Sequence, residues 1–389
     1  MLARFNRPII VFFLFVVTFI VHVTYIKAVE SGALSDYSAH HNFALELLNG
    51  KLPVPHFLFH LLISVVYLVF PVSMPVASTV IVSMAYLVSM CLIYRLFDEK
   101  SCLLEGRNFQ TKAVVASAIM FVAPIALFAR YDHHFFIGYI ACSVYHNPTI
   151  SVLKPLALLH FLIVSNNITN ESENRISYAM LCVVTILAVL AKPSYILNAV
   201  PAVLVIALMK YRVKEKFPYV AIAIYFVLPA MLILFLQYLF SYSSEETHSS
   251  IIFAPLYLFN KQSPLASDFI FLKLLLSIGF PLAVAVCFIK ESIKDTKLMF
   301  AWLMTVFGML QVYLFVETGE RMYHANFLWS GQIAAFILFV ASAALLFKLQ
   351  KLPHYPKARI KFCWSVFALH AIYGGLWYHF NLIGSRYKW

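Results

Sequence analysis

Long apolar runs alternate with short polar connections along this chain, and that alternation sets the first expectation about its architecture. Twelve apolar segments stand out, at 8–26, 57–70, 76–94, 113–129, 138–165 (its first half interrupted), 178–191, 195–209, 219–240, 269–289, 298–316, 327–347 and 362–380. A helix needs about 20 residues to cross the hydrocarbon core, and several of these runs fall short of that. Inside lipid the backbone must satisfy its own hydrogen bonds, which leaves only helices or closed barrels. Barrel strands would alternate over about 10 residues, and these runs do not. The expectation is an all-α fold: a polytopic transmembrane helix bundle of about 11–12 spans in a single membrane-embedded domain over 1–389.

The connections sort by charge. With 95–112 placed inside, 210–217, 290–297 and 348–361 fall on the same side, and these hold the main basic clusters, as the positive-inside rule requires. The stretches 27–55, 130–150, 192–195, 242–268 and 317–327 then lie outward. Arg4 and Arg7 place the N-terminus inside. An odd number of crossings must therefore lie between 56 and 95, where two runs are split at Pro71 and Pro75. One of the two is expected to lie along the interface or to re-enter. The run at 8–26 is too long for a typical signal-peptide core and ends in Lys27 without a convincing small-residue cleavage site, so it reads as a retained span.

Composition strengthens this picture. The chain is 62% hydrophobic and 12% charged, about half the charge of a soluble domain. Its net charge of +12 does not point to nucleic acid, because the basic residues sit in short connections where they meet anionic headgroups. The six cysteines are scattered, without metal spacing. The absence of a clear internal repeat counts against a transporter.

The outward stretches carry the candidate chemistry. The first contains Asp36, Tyr37, His40, His41 and, further on, His56 and His60. Asp36 and His40 stand at i and i+4, on one face of a helix expected over 37–48. Asp36 either caps that helix or acts as a general base at the mouth of a membrane cavity. The second stretch holds Arg130, Asp132, His133, His134, His146 and Asn147, with Lys154 beyond. So many polar groups between apolar spans are costly unless they face water or one another. Pro148 and Pro155 are expected to break the helix there. Asp132, His133, His134 and His146 are weighed as a metal site and read instead as a solvated cavity wall. Lys192 and Arg321 are cations on the less basic side. They would suit a phosphate, while Arg321 has Glu317 and Glu320 as possible internal partners and snorkelling to headgroups is open to both. Glu320, Arg321, His324 and Asn326 complete the polar run.

A first span, an outward loop with Asp36-Tyr37, an amphipathic stretch ending at Gly50, and then His56 and a series of hydrophobic spans resemble the GT-C class of membrane glycosyltransferases. The resemblance covers the general plan of the chain, and its specific part is residues 35–60. It implies a polyprenyl-phosphate-linked sugar as donor and Asp36 as the catalytic carboxylate, acting as base or as ligand of a divalent metal such as Mg or Mn. Two departures stand beside it. Asp36 is followed by Tyr37 where many members have paired acidic residues, and no soluble C-terminal domain is recognised, which favours a glycan or lipid acceptor. The expected function is sugar transfer at the outer face, with Asp36 as base, His40 and His41 orienting it, and Tyr37, His56, Arg130, Asp132, His133, His146, Asn147, Lys154, Lys192, Glu320, Arg321, His324 and Asn326 binding substrate. Competing classes are a lipid-linked glycan polymerase or ligase, a transporter or flippase, and a non-catalytic assembly subunit. The expected setting is a bacterial inner membrane with the site facing outward.

Overall fold

The structure is a computed structural model that describes residues 12–17, 36–97, 109–132, 138–169, 175–242, 249–262 and 265–383. It is helical almost throughout. The main helices are α1 (Tyr37–Leu48), α2 (Leu58–Val69), α3 (Met74–Leu96), α4 (Phe109–Ile119), α5 (Pro148–Ile168), α6 (Arg175–Ala191), α7 (Ile196–Arg212), α8 (Tyr219–Tyr242, with a π turn at Ala223–Val227), α9 (Ile270–Ser277), α10 (Gly279–Cys287), α11 (Thr296–Leu314), α12 (Leu328–Leu349) and α13 (Lys357–Ile383). Two three-residue strands, β1 (Ile251–Phe253) and β2 (Phe315–Glu317), pair antiparallel, with Ile251 opposite Glu317.

Five of these helices, α3, α5, α8, α11 and α12, are long and apolar enough to cross a membrane. The pair α9–α10, bent by 74°, would make a sixth. The chain is thus an all-α helical membrane protein. Most other apolar runs form shorter helices, such as α2 with 12 residues and α7 with 17, while the run at 362–380 lies within α13, 27 residues long. At 1.5 Å per residue a 12-residue helix covers about 18 Å, well short of the hydrocarbon core. Of the run at 8–26 the described part is 12–17, which is helical.

At the centre stands α12, 89% buried, packed against α3, α5, α10 and α11. It is apolar on all sides, as a helix surrounded by protein should be. Gly331 lets it approach α11, since a Cβ there would meet Val312 at 2.7 Å. By contrast α8 is only 17% buried and offers Val220, Leu228, Phe235 and Tyr238 to the surroundings, as a lipid-facing helix would.

Three local expectations are corrected. Pro148 and Pro155 do not break a helix. Pro148 opens α5 at a position where its missing N–H costs nothing, and Pro155 is carried inside it. The run at 113–129 is not one helix, because α4 ends at Ile119 and 122–126 is irregular. The run at 269–289 breaks at Ile278, where Pro281 in the next turn has no N–H to extend the ladder.

The last two breaks face each other. Ile125 N donates to Leu276 O at 3.1 Å, and Ala123 N to His370 O at 3.2 Å. The His370 ring closes the seam: Nδ1 donates to Ala123 O at 2.7 Å and Nε2 accepts from Phe280 N at 3.2 Å. Side-chain partners of this kind make irregular backbone tolerable deep inside a membrane protein. Gly374 allows the approach of α13, because a Cβ there would lie 1.9 Å from Phe121 O.

Candidate functional site

Polar residues from distant parts of the chain meet at one end of the bundle, where α5 and α12 begin and α11 gives way to β2. The anchor is Asn147, the N-cap of α5. Its Oδ1 accepts from Thr149 N at 3.1 Å and Ile150 N at 3.3 Å, satisfying two of the free amides of the first turn. The same oxygen accepts from Thr149 Oγ1 at 2.6 Å. Its amide nitrogen is then free to donate to Asp36 Oδ2 at 2.7 Å.

Asp36 stands at the N-cap position of α1 but makes no capping bond with its side chain. Its backbone is tied to the same segment, with Asp36 N donating to His146 O at 3.0 Å. The positive end of α5 adds a favourable field for a carboxylate placed there.

Lys192 completes the line from the other side. It lies in the turn between α6 and α7, is 5% exposed, and donates through Nζ to Thr149 Oγ1 at 3.2 Å. The ammonium also sits 4.5 Å from the centre of the Trp329 ring, a cation–π contact from the first turn of α12. Burial lowers the Lys192 pKa to about 8, opposed by the Asp36 and Glu317 carboxylates. Lys192 → Thr149 → Asn147 → Asp36 is therefore a chain of donors running from an ammonium to a carboxylate.

Glu317, at the end of β2, is 4% exposed. It accepts from Arg321 Nε at 2.9 Å and also from Tyr242 Oη and Asn326 Nδ2. The Arg321 guanidinium lies over the Tyr242 ring at 5.2 Å. Arg321 therefore has its internal partner in Glu317, and pairing on one edge leaves other guanidinium donors for a ligand. Strand β1 braces this turn, with Thr318 N donating to Ser250 O at 2.8 Å.

Histidines form the remaining wall. His40 Nδ1 and His60 Nε2 share a hydrogen bond at 2.8 Å, and His146 packs on the Trp329 ring at 5.6 Å. Burial, and then the charges of His60 and Lys192, push His40 down to about 2. Burial followed by the charge of Lys192 pushes His56 well below the usual range. His146 is lowered by burial and partly restored by Asp36. Burial also lowers His41, which packs edge-on to the buried ring of Tyr37. These imidazoles are neutral near pH 7. His41 Nε2 and His60 Nδ1 are buried with no hydrogen-bond partner, an arrangement that calls for a ligand or water to complete it.

Of the residues singled out from sequence, Asp36, His40, His56, His146, Asn147, Lys192, Arg321 and Asn326 meet in this cluster, with Tyr37 and His41 beside it. Lys154 does not join their hydrogen bonds. It is 1% exposed within α5, its Nζ 4.9 Å from the Phe336 ring centre and without a hydrogen bond. His133 lies outside the described residues, as do the side chains of Arg130, Asp132, Glu320 and His324. Tyr242 and Trp329 belong to the cluster but carry no sequence signal of their own; Thr149 stood out only as part of the polar run with His146 and Asn147, and Glu317 only as a partner for Arg321. His60 had one signal, its i, i+4 spacing from His56.

No protein-family model matches this chain, and no curated protein does. The site must be read from its own geometry. Among the described residues no three His, Cys, Asp or Glu side chains are grouped to hold a metal, and the Asp36 carboxylate lies within the field of the Lys192 ammonium.

Proposed function

We propose that this chain is a membrane glycosyltransferase that moves a sugar from a polyprenyl-phosphate donor to a glycan or lipid hydroxyl. The observation that carries the reading is the buried line from Lys192 through Thr149 and Asn147 to Asp36. It holds a base and a phosphate-binding cation at fixed places in one site, which is what transfer from a sugar phosphate demands. The resemblance of residues 35–60 to the GT-C class supports the same assignment.

In the proposed step the acceptor hydroxyl attacks C1 of the sugar from the face opposite the phosphate. Its proton passes to Asp36, whose Oδ2 is steadied by Asn147. The bond between C1 and the phosphate oxygen breaks as the new glycosidic bond forms, inverting C1. Polyprenyl phosphate leaves with its negative charge met by Lys192 and Arg321. The partnerless nitrogens His41 Nε2 and His60 Nδ1 bind hydroxyls of the sugar or acceptor. Most basic connections lie at the opposite end of the helices, so the positive-inside rule directs this end outward. In the bacterial inner membrane that end faces the periplasm.

The test is turnover by the purified protein in nanodiscs, offered a panel of polyprenyl-phosphate sugars, with released polyprenyl phosphate as readout. Wild type should turn over at least one donor, and Asp36→Asn should lose the activity. Full activity in Asp36→Asn sinks the assignment. A lipid-linked glycan ligase is the second reading, favoured by the histidine wall around Lys192. Turnover of lipid-diphosphate oligosaccharides but of no monosaccharide donor would select it.

A further inference from the structure

Helix α5 carries a cation that the proposed reaction does not use. Lys154 lies about 10 Å down the helix axis from the Asn147 cap, at 1.5 Å per residue. About 140° of helical rotation separates it from Thr149, so it faces away from the Lys192 line. Its side chain is 1% exposed, and its Nζ is buried without a hydrogen-bond partner. Among the described residues no carboxylate pairs with it.

What surrounds the ammonium is aromatic. The Phe336 ring centre, on α12, lies 4.9 Å from Nζ, and the Tyr86 ring centre, on α3, lies 5.9 Å from it. Cation–π contacts offset only part of the cost of taking an ammonium out of water. Hydroxyls stand close by. Ser151 shares a face of α5 with Lys154, three positions before it, and its Oγ is buried without a hydrogen bond. That Oγ lies near the Tyr86 hydroxyl, outside hydrogen-bond length. An ammonium has three donors and no acceptor, and each hydroxyl can turn its hydrogen towards an acceptor. Neither Lys154 Nζ nor Ser151 Oγ bonds to a neighbour, so both remain available to one acceptor held in common.

We propose that Lys154, Ser151 and Tyr86 bind a small singly charged anion of the halide class inside the bundle, where α3, α5 and α12 meet. One ammonium balances one charge. Phosphate or sulfate would bring a second charge and a larger desolvation cost into an apolar, ring-walled interior. A halide accepts from any direction, so it suits donors from two helices that were not arranged around a planar or tetrahedral group. The bound ion neutralises the buried cation and ties α3 to α5. The site does not depend on the glycosyl-transfer reading.

The experiment uses the full chain, purified in a neutral detergent with potassium gluconate as the only salt. Chloride-36 uptake is counted by equilibrium dialysis, and melting is followed as chloride replaces gluconate at constant ionic strength. Four proteins are compared: wild type, K154M, S151A/Y86F, and K357Q/K361Q, which removes two exposed lysines at the start of α13. Wild type should take up one chloride saturably and melt higher in chloride than in gluconate. K154M should lose both effects, S151A/Y86F should bind at least about tenfold more weakly, and K357Q/K361Q should match wild type. No uptake by wild type would mean that water alone solvates the ammonium, and it overturns the proposal. So does uptake by K154M equal to that of wild type, or a loss in K357Q/K361Q as large as in K154M. Should K154M not fold, S151A/Y86F decides, and an affinity equal to wild type overturns the site.

Discussion

Two sets of histidines in this protein are buried and differently connected. His370 and His160 lie within the bundle and have both ring nitrogens engaged: His370 by Ala123 O and Phe280 N, His160 by Tyr195 Oη and Thr185 Oγ1. His41 and His60 lie at the site end, and each leaves one buried nitrogen without a partner. Satisfied imidazoles hold backbone and neighbouring helices together. Partnerless ones cost stability, a cost that binding a hydroxyl would offset. The comparison separates polar residues that build the membrane fold from those that the proposed site would use to bind its substrates.

The sharpest break in that comparison comes at Asp36. Asp36→Asn should lower donor turnover about 10²–10⁴-fold, the usual contribution of a positioned base, with little change in melting. A large fall in melting would move Asp36 into the structural class.

The reverse is expected at His370. His370→Ala leaves Phe280 N and Ala123 O unpaired where no water replaces the ring, a loss of about 2–4 kcal/mol. Thermal unfolding in detergent should show it, while turnover per folded molecule stays near wild type. Unchanged melting would mean that the seam between 122–126 and the α9–α10 break does not need its histidine.

A pH profile sharpens the site end. The Lys192 pKa is lowered below the ordinary lysine value, to about 8, so its charge is present below that pH and lost as pH rises through it. Turnover should fall by up to tenfold per pH unit on the basic side of about 8. Lys192→Arg, if active, should carry that limb beyond the measurable range, because guanidinium stays charged. A profile identical in Lys192→Arg would remove Lys192 from the reaction.

The smallest effect is expected at His41. His41→Phe removes a nitrogen that has no partner, so melting should hold or rise by a few degrees, while the apparent KM for donor or acceptor rises severalfold. A drop in melting comparable to that of His370→Ala would erase the distinction between the two sets.

Much of this was legible in the sequence. The apolar runs that became α3, α5, α11 and α12 stood out by length and composition, which reflect the solvent around a helix. Asp36, Asn147, Lys192 and Arg321 stood out because polar groups flanked by apolar spans demand a reason. The broken helices were less legible. Pro148 and Pro155 suggested breaks that did not occur, since one opens a helix and the other is accommodated within it. The real breaks near Ile119 and Ile278 lie in long, mostly apolar stretches, where hydropathy carries no information about backbone course and only Pro281 marks the second.

By itself, then, the sequence determined that this chain is a helical membrane protein and which few polar residues stand out within it, because hydrophobicity and charge act locally. Only the tertiary structure decided which of them meet. Asp36 and Asn147 are 111 positions apart and Thr149 and Lys192 are 43 apart, yet each pair is joined by a hydrogen bond. Lys154, five residues beyond Thr149 on the same helix, is turned instead onto the Phe336 ring inside the bundle. Helix packing sets those juxtapositions and depends on contacts across the whole bundle. For that reason Lys192 and Lys154, similar as isolated cations among apolar residues, end in different surroundings.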